Sequence, residues 1–347
     1  MSTLLTLRPD ADPDQVRGML QGLGLWVQGN RGADGRVSAF SLEPHSVRIA
    51  PEALRRLPGI EQVFASASEH PLLDRQAGQA VAVGNWLHIG GGAPPVLAAG
   101  PCCAESEALV DFSAAAVARA GGTLLRGGAF KPRTSPYAFA GHGREALRWL
   151  RAAATRHGLG LVTEALSEAD VEAVAEVADL VQVGSRNMQN YALLQAIGRT
   201  GRPALLKRGR AATLAEWRAA AEHLLVAGAG GVVLCERGIA GQDPELRNTL
   251  DLGAVALLKH VDGLAVLVDP SHAAGRRDLI EPLSRAALAA GADGLLVECH
   301  PDPAVARSDG PQAVSFAVLD RIGALLDGAL SDSDSPRRPR AATVVIP

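Results

Sequence analysis

Eight apolar runs in the C-terminal part of the 347-residue chain each lead into a residue able to do chemistry: Cys102, Arg126, Glu164, Arg186, Lys207, Arg237, His272 and Glu298. A thiol, an imidazole, carboxylates and cations are the tools of Lewis-acid and acid–base work on anionic substrates. They act together only if one place gathers them. Parallel strands closed into a ring do this, because their ends converge on a common mouth.

When a ring of eight strands closes, the first, seventh and eighth are neighbours. Cys102, His272 and Glu298 then share one side of the mouth, and Asp309, on the loop after the eighth strand, reaches the same point. A thiolate, an imidazole and two carboxylates form a mixed soft and hard ligand set, suited to Mn, Fe, Co or Zn more than to Mg or Ca. No local spacing marks this set, since its members come from separate segments. Taken singly, Cys102 reads as a small buried residue and Asp309 as a turn former. His300 competes with His272, but alternation along the strand turns Glu298 inward and leaves His300 nearer the loop.

The rest of the mouth is cationic, with Arg126, Lys131, Arg133, Arg186, Lys207, Arg208 and Arg237. Unpaired buried cations are costly, so they call for carboxylate partners or an anionic ligand. Glu164 and Glu236 are the candidates for internal pairing, and the surplus predicts substrates carrying several negative charges. In GGAFKPRTSP, residues 127–136, glycines permit close backbone approach, Pro132 and Pro136 stiffen the loop, and Thr134 and Ser135 add hydroxyls. With Lys131 and Arg133 this makes a rigid phosphate clip that is neither a Walker loop nor a dinucleotide fingerprint.

The elements needed to position these residues are legible. Strands are predicted at 96–101, 123–127, 160–165, 180–184, 203–207, 232–236, 264–269 and 294–298. Ala-rich helical patterns lie between them, at Ser106–Ala120, Arg144–His157, Glu168–Val177, Leu214–Val226 and Arg277–Ala290, with a last helix from Pro311 to Leu326. Eight such pairs, in a chain with 47% hydrophobic but only 3% aromatic residues, predict an α/β fold: a TIM (β/α)8 barrel over 96–328. Ahead of it, residues 1–70 read as βαββαβ, a small ferredoxin-like α+β domain. Residues 66–79 lose periodicity and read as a linker, and a hairpin around Gly84 and Asn85 within 71–95 is placed under the barrel. The polar stretch 329–347 reads as a mobile tail.

A net charge of -3 offers no general attraction to nucleic acid or membrane surface. No run approaches a membrane span, the start lacks a signal-peptide pattern, and four cysteines are too few for a disulfide framework. A cytoplasmic protein with reduced thiols is expected.

The stretches AGPC (99–102), GGAFKPRTSPY (127–137), VGSRNMQN (183–190), LLKRG (205–209), CERGI (235–239), RNTLDL (247–252), DPSHAAGRRDL (269–279) and SDG (308–310) resemble 3-deoxy-D-arabino-heptulosonate 7-phosphate (DAHP) synthase. The resemblance is to the type I beta branch, which shares ancestry with 3-deoxy-octulosonate 8-phosphate synthase. It implies condensation of phosphoenolpyruvate with erythrose 4-phosphate to give DAHP and phosphate, the first step of the shikimate pathway. It implies a divalent metal ion on Cys102, His272, Glu298 and Asp309. Phosphoenolpyruvate contacts would come from Arg126, Lys131, Ser185, Arg186, Lys207 and Arg237, with Glu164 nearby, and erythrose 4-phosphate contacts from Lys131, Pro132, Arg133, Thr134 and Ser135. Lys131, Glu164, His272 and Cys102 would serve catalysis. A homo-oligomer, tetramer or dimer, and feedback by an aromatic amino acid on the N-terminal domain are also implied.

Three alternatives compete: the octulosonate synthase, which carries an Asn-containing clip where this chain has KPRTS, a Schiff-base aldolase using Lys207, and a silent metabolite sensor. The chain departs from its relatives at Cys103 and Cys299, each following a candidate ligand, and in the loop AGQDPEL at 240–246, which lacks aromatic character.

Overall fold

A computed structural model of the chain describes residues 3–331 apart from 33, 44–46, 48, 66, 132–136 and 138, and residues 327–331 by their backbone alone. The described residues form two compact units that divide between Glu69 and His70.

The first unit runs β1 (Thr3–Leu7), α1 (Pro13–Gly22), β2 (Val27–Arg31), β3 (Val37–Leu42), α2 (Pro51–Arg55) and β4 (Ile60–Ala65). Its antiparallel sheet has the order β2-β3-β1-β4, that of a ferredoxin-like fold. Leu5, Leu20, Leu25, Phe40 and Ile60 form its own core. Asp12 caps α1 by accepting from the Asp14 amide, and Pro13 starts the helix where a missing N–H costs nothing.

The second unit opens with α3 (Pro71–Gln76), inside the stretch expected to be plain linker. That expectation fails because the helix is held by tertiary partners that local periodicity does not reveal. The Glu222 carboxylate accepts from the amides of Leu72 and Leu73, and the Gln76 amide exchanges two hydrogen bonds with the backbone of Val232. The hairpin β5 (Ala80–Val83) and β6 (Leu87–Gly90) follows.

Then come β7 (Val96–Gly100), α4 (Glu107–Arg119), β8 (Leu124–Arg126), α5 (Arg144–Arg156), β9 (Gly160–Glu164), α6 (Glu168–Val177), β10 (Leu180–Val183), α7 (Tyr191–Gly198), β11 (Ala204–Lys207), α8 (Leu214–Val226), β12 (Val232–Glu236), α9 (Leu252–Ala256), β13 (Val266–Val268), α10 (Pro270–Ala274), α11 (Ile280–Ala289), β14 (Gly294–Glu298) and α12 (Phe316–Ser331). Strands β7 to β14 pair in parallel, each with its sequence neighbour, and β14 pairs back to β7 to close the barrel.

Alternation sorts each strand's residues into two cores. Val96, Leu124, Val162, Leu180, Leu205 and Val233 point inward and cluster with Val81, Val83, Leu87 and Ile89, so the hairpin plugs the end where the strands begin. Leu97, Leu125, Leu161, Val181, Leu206 and Leu234 point outward against the helices. The opposite end, where the strands finish, is left for chemistry.

The last helix starts at Phe316 and not at Pro311. A single 3-10 turn at Gly310–Gln312 precedes it, and Val314 forms a bridge with Cys299 that keeps the intervening chain extended. The helix also runs to Ser331, past the expected start of the tail; residues 332–347 lie outside the described residues. No described helix is long and apolar enough to cross a membrane.

Candidate active site

The site is built on the ends of β7, β8, β13 and β14. Beyond β7 the chain turns at Gly100 (φ 148°), where a Cβ would lie 2.1 Å from the Arg126 carbonyl oxygen; only glycine allows β8 this close. Two residues later the Cys102 Sγ lies 3.0 Å from Asp309 Oδ2 and 3.0 Å from Lys131 Nζ. Lys131 folds back over Gly128, where a Cβ would sit 2.7 Å from its Nζ. The glycines of the clip thus let the lysine reach the thiol.

His272 rides on α10, a helix delimited by its own residues. Asp269 caps it by accepting from the His272 amide at 2.9 Å, Pro270 starts it, and Gly275 ends it in the left-handed region at φ 70°. Asp269 Oδ2 also takes the His272 Nδ1–H at 2.7 Å, and accepts from Lys207 Nζ. This leaves the His272 Nε2 lone pair facing the Glu298 Oε1, 3.5 Å away. A carboxylate behind an imidazole is the usual support for a ligating histidine.

Cys102, Glu298 and Asp309 each offer a ligand atom within 4.8 Å of the others. His272 stands beside this group through Glu298. Asp309 is the one non-glycine residue with positive φ (52°) among the described residues, a strained backbone that turns its carboxylate into the cluster. Three donors of negative or potentially negative charge crowd together, and Glu298 Oε1 is a buried acceptor with no hydrogen-bond partner, although Arg126 Nη1 lies 3.0 Å from it. Burial, reinforced by Glu298, pushes the Cys102 thiol up to about 12. Burial also lowers His272, which favours the neutral ring, while the cations Arg126 and Lys131 help hold Glu298 below the usual carboxylate range despite burial. A buried cluster of acidic donors, with a carboxylate oxygen that makes no hydrogen bond and a neutral imidazole beside it, fits a divalent cation.

The cations divide into two kinds. Arg126 is paired with Glu298, Lys207 with Asp269, and Arg208 with both Glu236 and Asp251 at 2.9 Å. Of the two expected internal partners, Glu236 pairs with Arg208 as expected and Glu164 forms no ion pair among the described residues, while Asp269, Asp251 and Glu298 supply the further pairing. Glu164 instead accepts from Gln182 Nε2 at 3.1 Å. Arg237 is the exception. It is buried, with an Nη1 that has no hydrogen-bond partner, and burial without a touching carboxylate lowers its pKa. An anionic ligand would satisfy it.

Arg126, Gly127, Gly128, Lys131, Val162, Thr163, Glu164 and Gln182 line one recess. Arg186 is exposed on the turn after β10, and Ser185 donates its hydroxyl to the Arg208 carbonyl at 2.7 Å, holding two strand-end loops together. Pro132, Arg133, Thr134 and Ser135 lie outside the described residues. Sequence reasoning missed Asp269, Asn248, Arg247 and Gln312. Only Asp269 had a local signal, an Asp-Pro pair at a helix start; the others act across separate loops.

The family model for the DAHP synthetase I family matches residues 76–331, which includes the whole barrel and every candidate ligand. The chain belongs to this family. A phospho-2-dehydro-3-deoxyheptonate aldolase of Thermotoga maritima is 46% identical over 236 residues, 68% of this chain and 70% of that protein. A crystal structure of the Thermotoga maritima DAHP synthase covers 95% of this chain and 97% of its own, with 36% identity and a TM-score of 0.74. A 2-dehydro-3-deoxyphosphooctonate aldolase of Acidithiobacillus ferrooxidans is 32% identical over 266 residues, 70% of this chain and 93% of that protein. As a member of the DAHP synthetase I family, the chain is an enzyme.

Proposed function

We propose that the chain is a DAHP synthase that condenses phosphoenolpyruvate with erythrose 4-phosphate and releases phosphate. Cys102, His272, Glu298 and Asp309 hold the divalent ion. Lys131, Ser185, Arg186, Lys207 and Arg237, with Arg126 behind them, bind phosphoenolpyruvate, and residues 131–135 bind the sugar phosphate. The observation that carries the reading is the pairing of the convergent Cys102, Glu298 and Asp309 donors with the buried Arg237, whose Nη1 has no hydrogen-bond partner.

When bound, the cation polarises the aldehyde of the acceptor. Arg186, Lys207 and Arg237 fix the carboxylate and phosphate of phosphoenolpyruvate, so that its methylene carbon meets the aldehyde carbon. A C–C bond forms, and Lys131 Nζ gives a proton to the developing alkoxide. Glu164 takes a proton from the water that adds to the cationic carbon left behind. The resulting tetrahedral centre breaks its C–O bond to phosphorus-bearing oxygen and expels phosphate.

Phosphate release with erythrose 4-phosphate or arabinose 5-phosphate as acceptor, with and without chelator, tests this reading. Turnover with erythrose 4-phosphate that chelator abolishes is expected. Preference for arabinose 5-phosphate would assign the octulosonate reaction, and turnover indifferent to chelator would remove the metal.

We further propose that residues 1–69 receive an aromatic amino acid as feedback inhibitor and that the chain acts as a homo-oligomer, a tetramer or dimer. Inhibition that survives deletion of these residues excludes the first; a monomeric mass by light scattering excludes the second.

A further inference from the structure

Each carboxylate of the candidate metal cluster has one oxygen held and one oxygen offered. Glu298 Oε2 accepts from Gln312 Nε2 at 2.5 Å, while Oε1 makes no hydrogen bond, lies 3.0 Å from Arg126 Nη1 and faces His272. Asp309 Oδ1 lies 3.4 Å from Arg247 Nη1, leaving Oδ2 beside the Cys102 sulfur. The two holders are joined: the same Arg247 Nη1 donates to Gln312 Oε1 at 2.6 Å, and Gln312 is only 2% exposed. An amide buried this deeply has a single rotamer that satisfies both ends, and the arginine selects it.

Arg247 is itself seated. Its stem fills the space over Gly275, where a Cβ would meet it at 2.6 Å, and its amide donates to the Ala274 carbonyl at 3.1 Å. The next residue, Asn248, donates from Nδ2 to the His272 carbonyl at 2.9 Å and accepts from Arg210 Nε. One dipeptide in the loop after β12 therefore touches His272, Asp309 and, through Gln312, Glu298. The same loop begins at Arg237.

We propose that Arg247 and Gln312 are positioning residues that keep Glu298 and Asp309 monodentate toward the divalent ion and tie the ligand set to the loop that carries Arg237. The proposal rests on the metal reading above. Holding one oxygen of each carboxylate leaves four ligand atoms, one from each of Cys102, His272, Glu298 and Asp309, and keeps a further position for substrate. Because the brace and Arg237 share a loop, anion binding and ligand geometry respond to one another.

The test is an equilibrium titration of Zn2+ against a chromophoric chelator, using metal-stripped full-length protein, with the Co2+ absorption spectrum as a second readout. Arg247 is partly exposed, so Arg247→Ala folds without burying a void, and thermal unfolding of the metal-free protein checks this. Arg247→Ala and Gln312→Ala are expected to weaken Zn2+ about 10–100-fold, the usual effect of losing a group that orients a ligand. The Co2+ bands should shift, and Arg247→Lys should restore most of the affinity, because one nitrogen serves both acceptors. Cys102→Ala, in the same titration, loses binding outright. Wild-type affinity and spectrum in Arg247→Ala, with binding lost in Cys102→Ala, would overturn the brace and leave the metal site standing. Wild-type affinity in Cys102→Ala would overturn both.

Discussion

Glu164 shows how tightly single positions constrain the mouth. Its carboxylate lies against Gly184, where a Cβ would stand 2.0 Å from Oε1, so the glycine of VGSRN is demanded by a side chain at the end of the neighbouring strand β9 and not by its own dihedral angles. Gly184→Ala must push Glu164 off the Gln182 amide. The expected result is a fall in kcat of at least about tenfold, the scale of losing a positioned acid or base, with an unchanged circular dichroism spectrum; full activity would release Glu164 from the water step. At Cys102 the expected loss is complete, since no neighbour can supply a second thiolate: Cys299 is fully buried just past β14, and Cys103 is buried where its backbone bridges Gly128. Measured turnover of Cys102→Ala in excess Mn2+ decides this.

The helices are positioned by caps and by long-range polar anchors of comparable weight. Thr213 and Glu216 form a reciprocal capping box at the start of α8, and Thr213→Ala is expected to cost about 1 kcal/mol in urea unfolding. Glu222, on the same helix, does something no sequence pattern announces, since its two oxygens take the first amides of α3. Glu222→Ala leaves those amides without partners and is expected to cost about 1–3 kcal/mol, more than the cap; a smaller loss than Thr213→Ala would mean that water replaces the carboxylate. Strands and the longer helices were legible because each repeats a period over many residues. The helix of residues 71–76 and the later start of the last helix, at Phe316 where Pro311 was expected, were not, because Glu222, Gln76 and the Cys299–Val314 bridge decide them across the fold.

At the scale of the molecule, burial makes the thiols a liability in alkali. Burial holds Cys299 near 12 and raises Cys235 further still, while an unfolded thiol ionises near 9. The folded state keeps protons that the unfolded state gives up, so this contribution is whole below about pH 9 and fades as pH rises toward 12, by about 1.4 kcal/mol per pH unit for each thiol. Urea midpoints of the metal-free protein should fall across that window, and Cys235→Ala should flatten the slope; parallel slopes would show that the thiol is not the cause. By itself, the sequence determined the βαββαβ order, the eight-fold alternation and the short apolar runs ending in reactive residues, because periodicity and strand-end chemistry are local properties. It also made visible Cys102, His272, Glu298 and Asp309 as a set, through the one inference that a closed ring makes the first and last strands neighbours. Only the tertiary structure decided which acid neutralises which cation, that Asp269 stands between Lys207 and His272, and that Arg247 and Gln312 reach Asp309 and Glu298. Those pairings join loops far apart in sequence, and a hydrogen bond across a barrel mouth leaves no period or spacing in the chain that makes it.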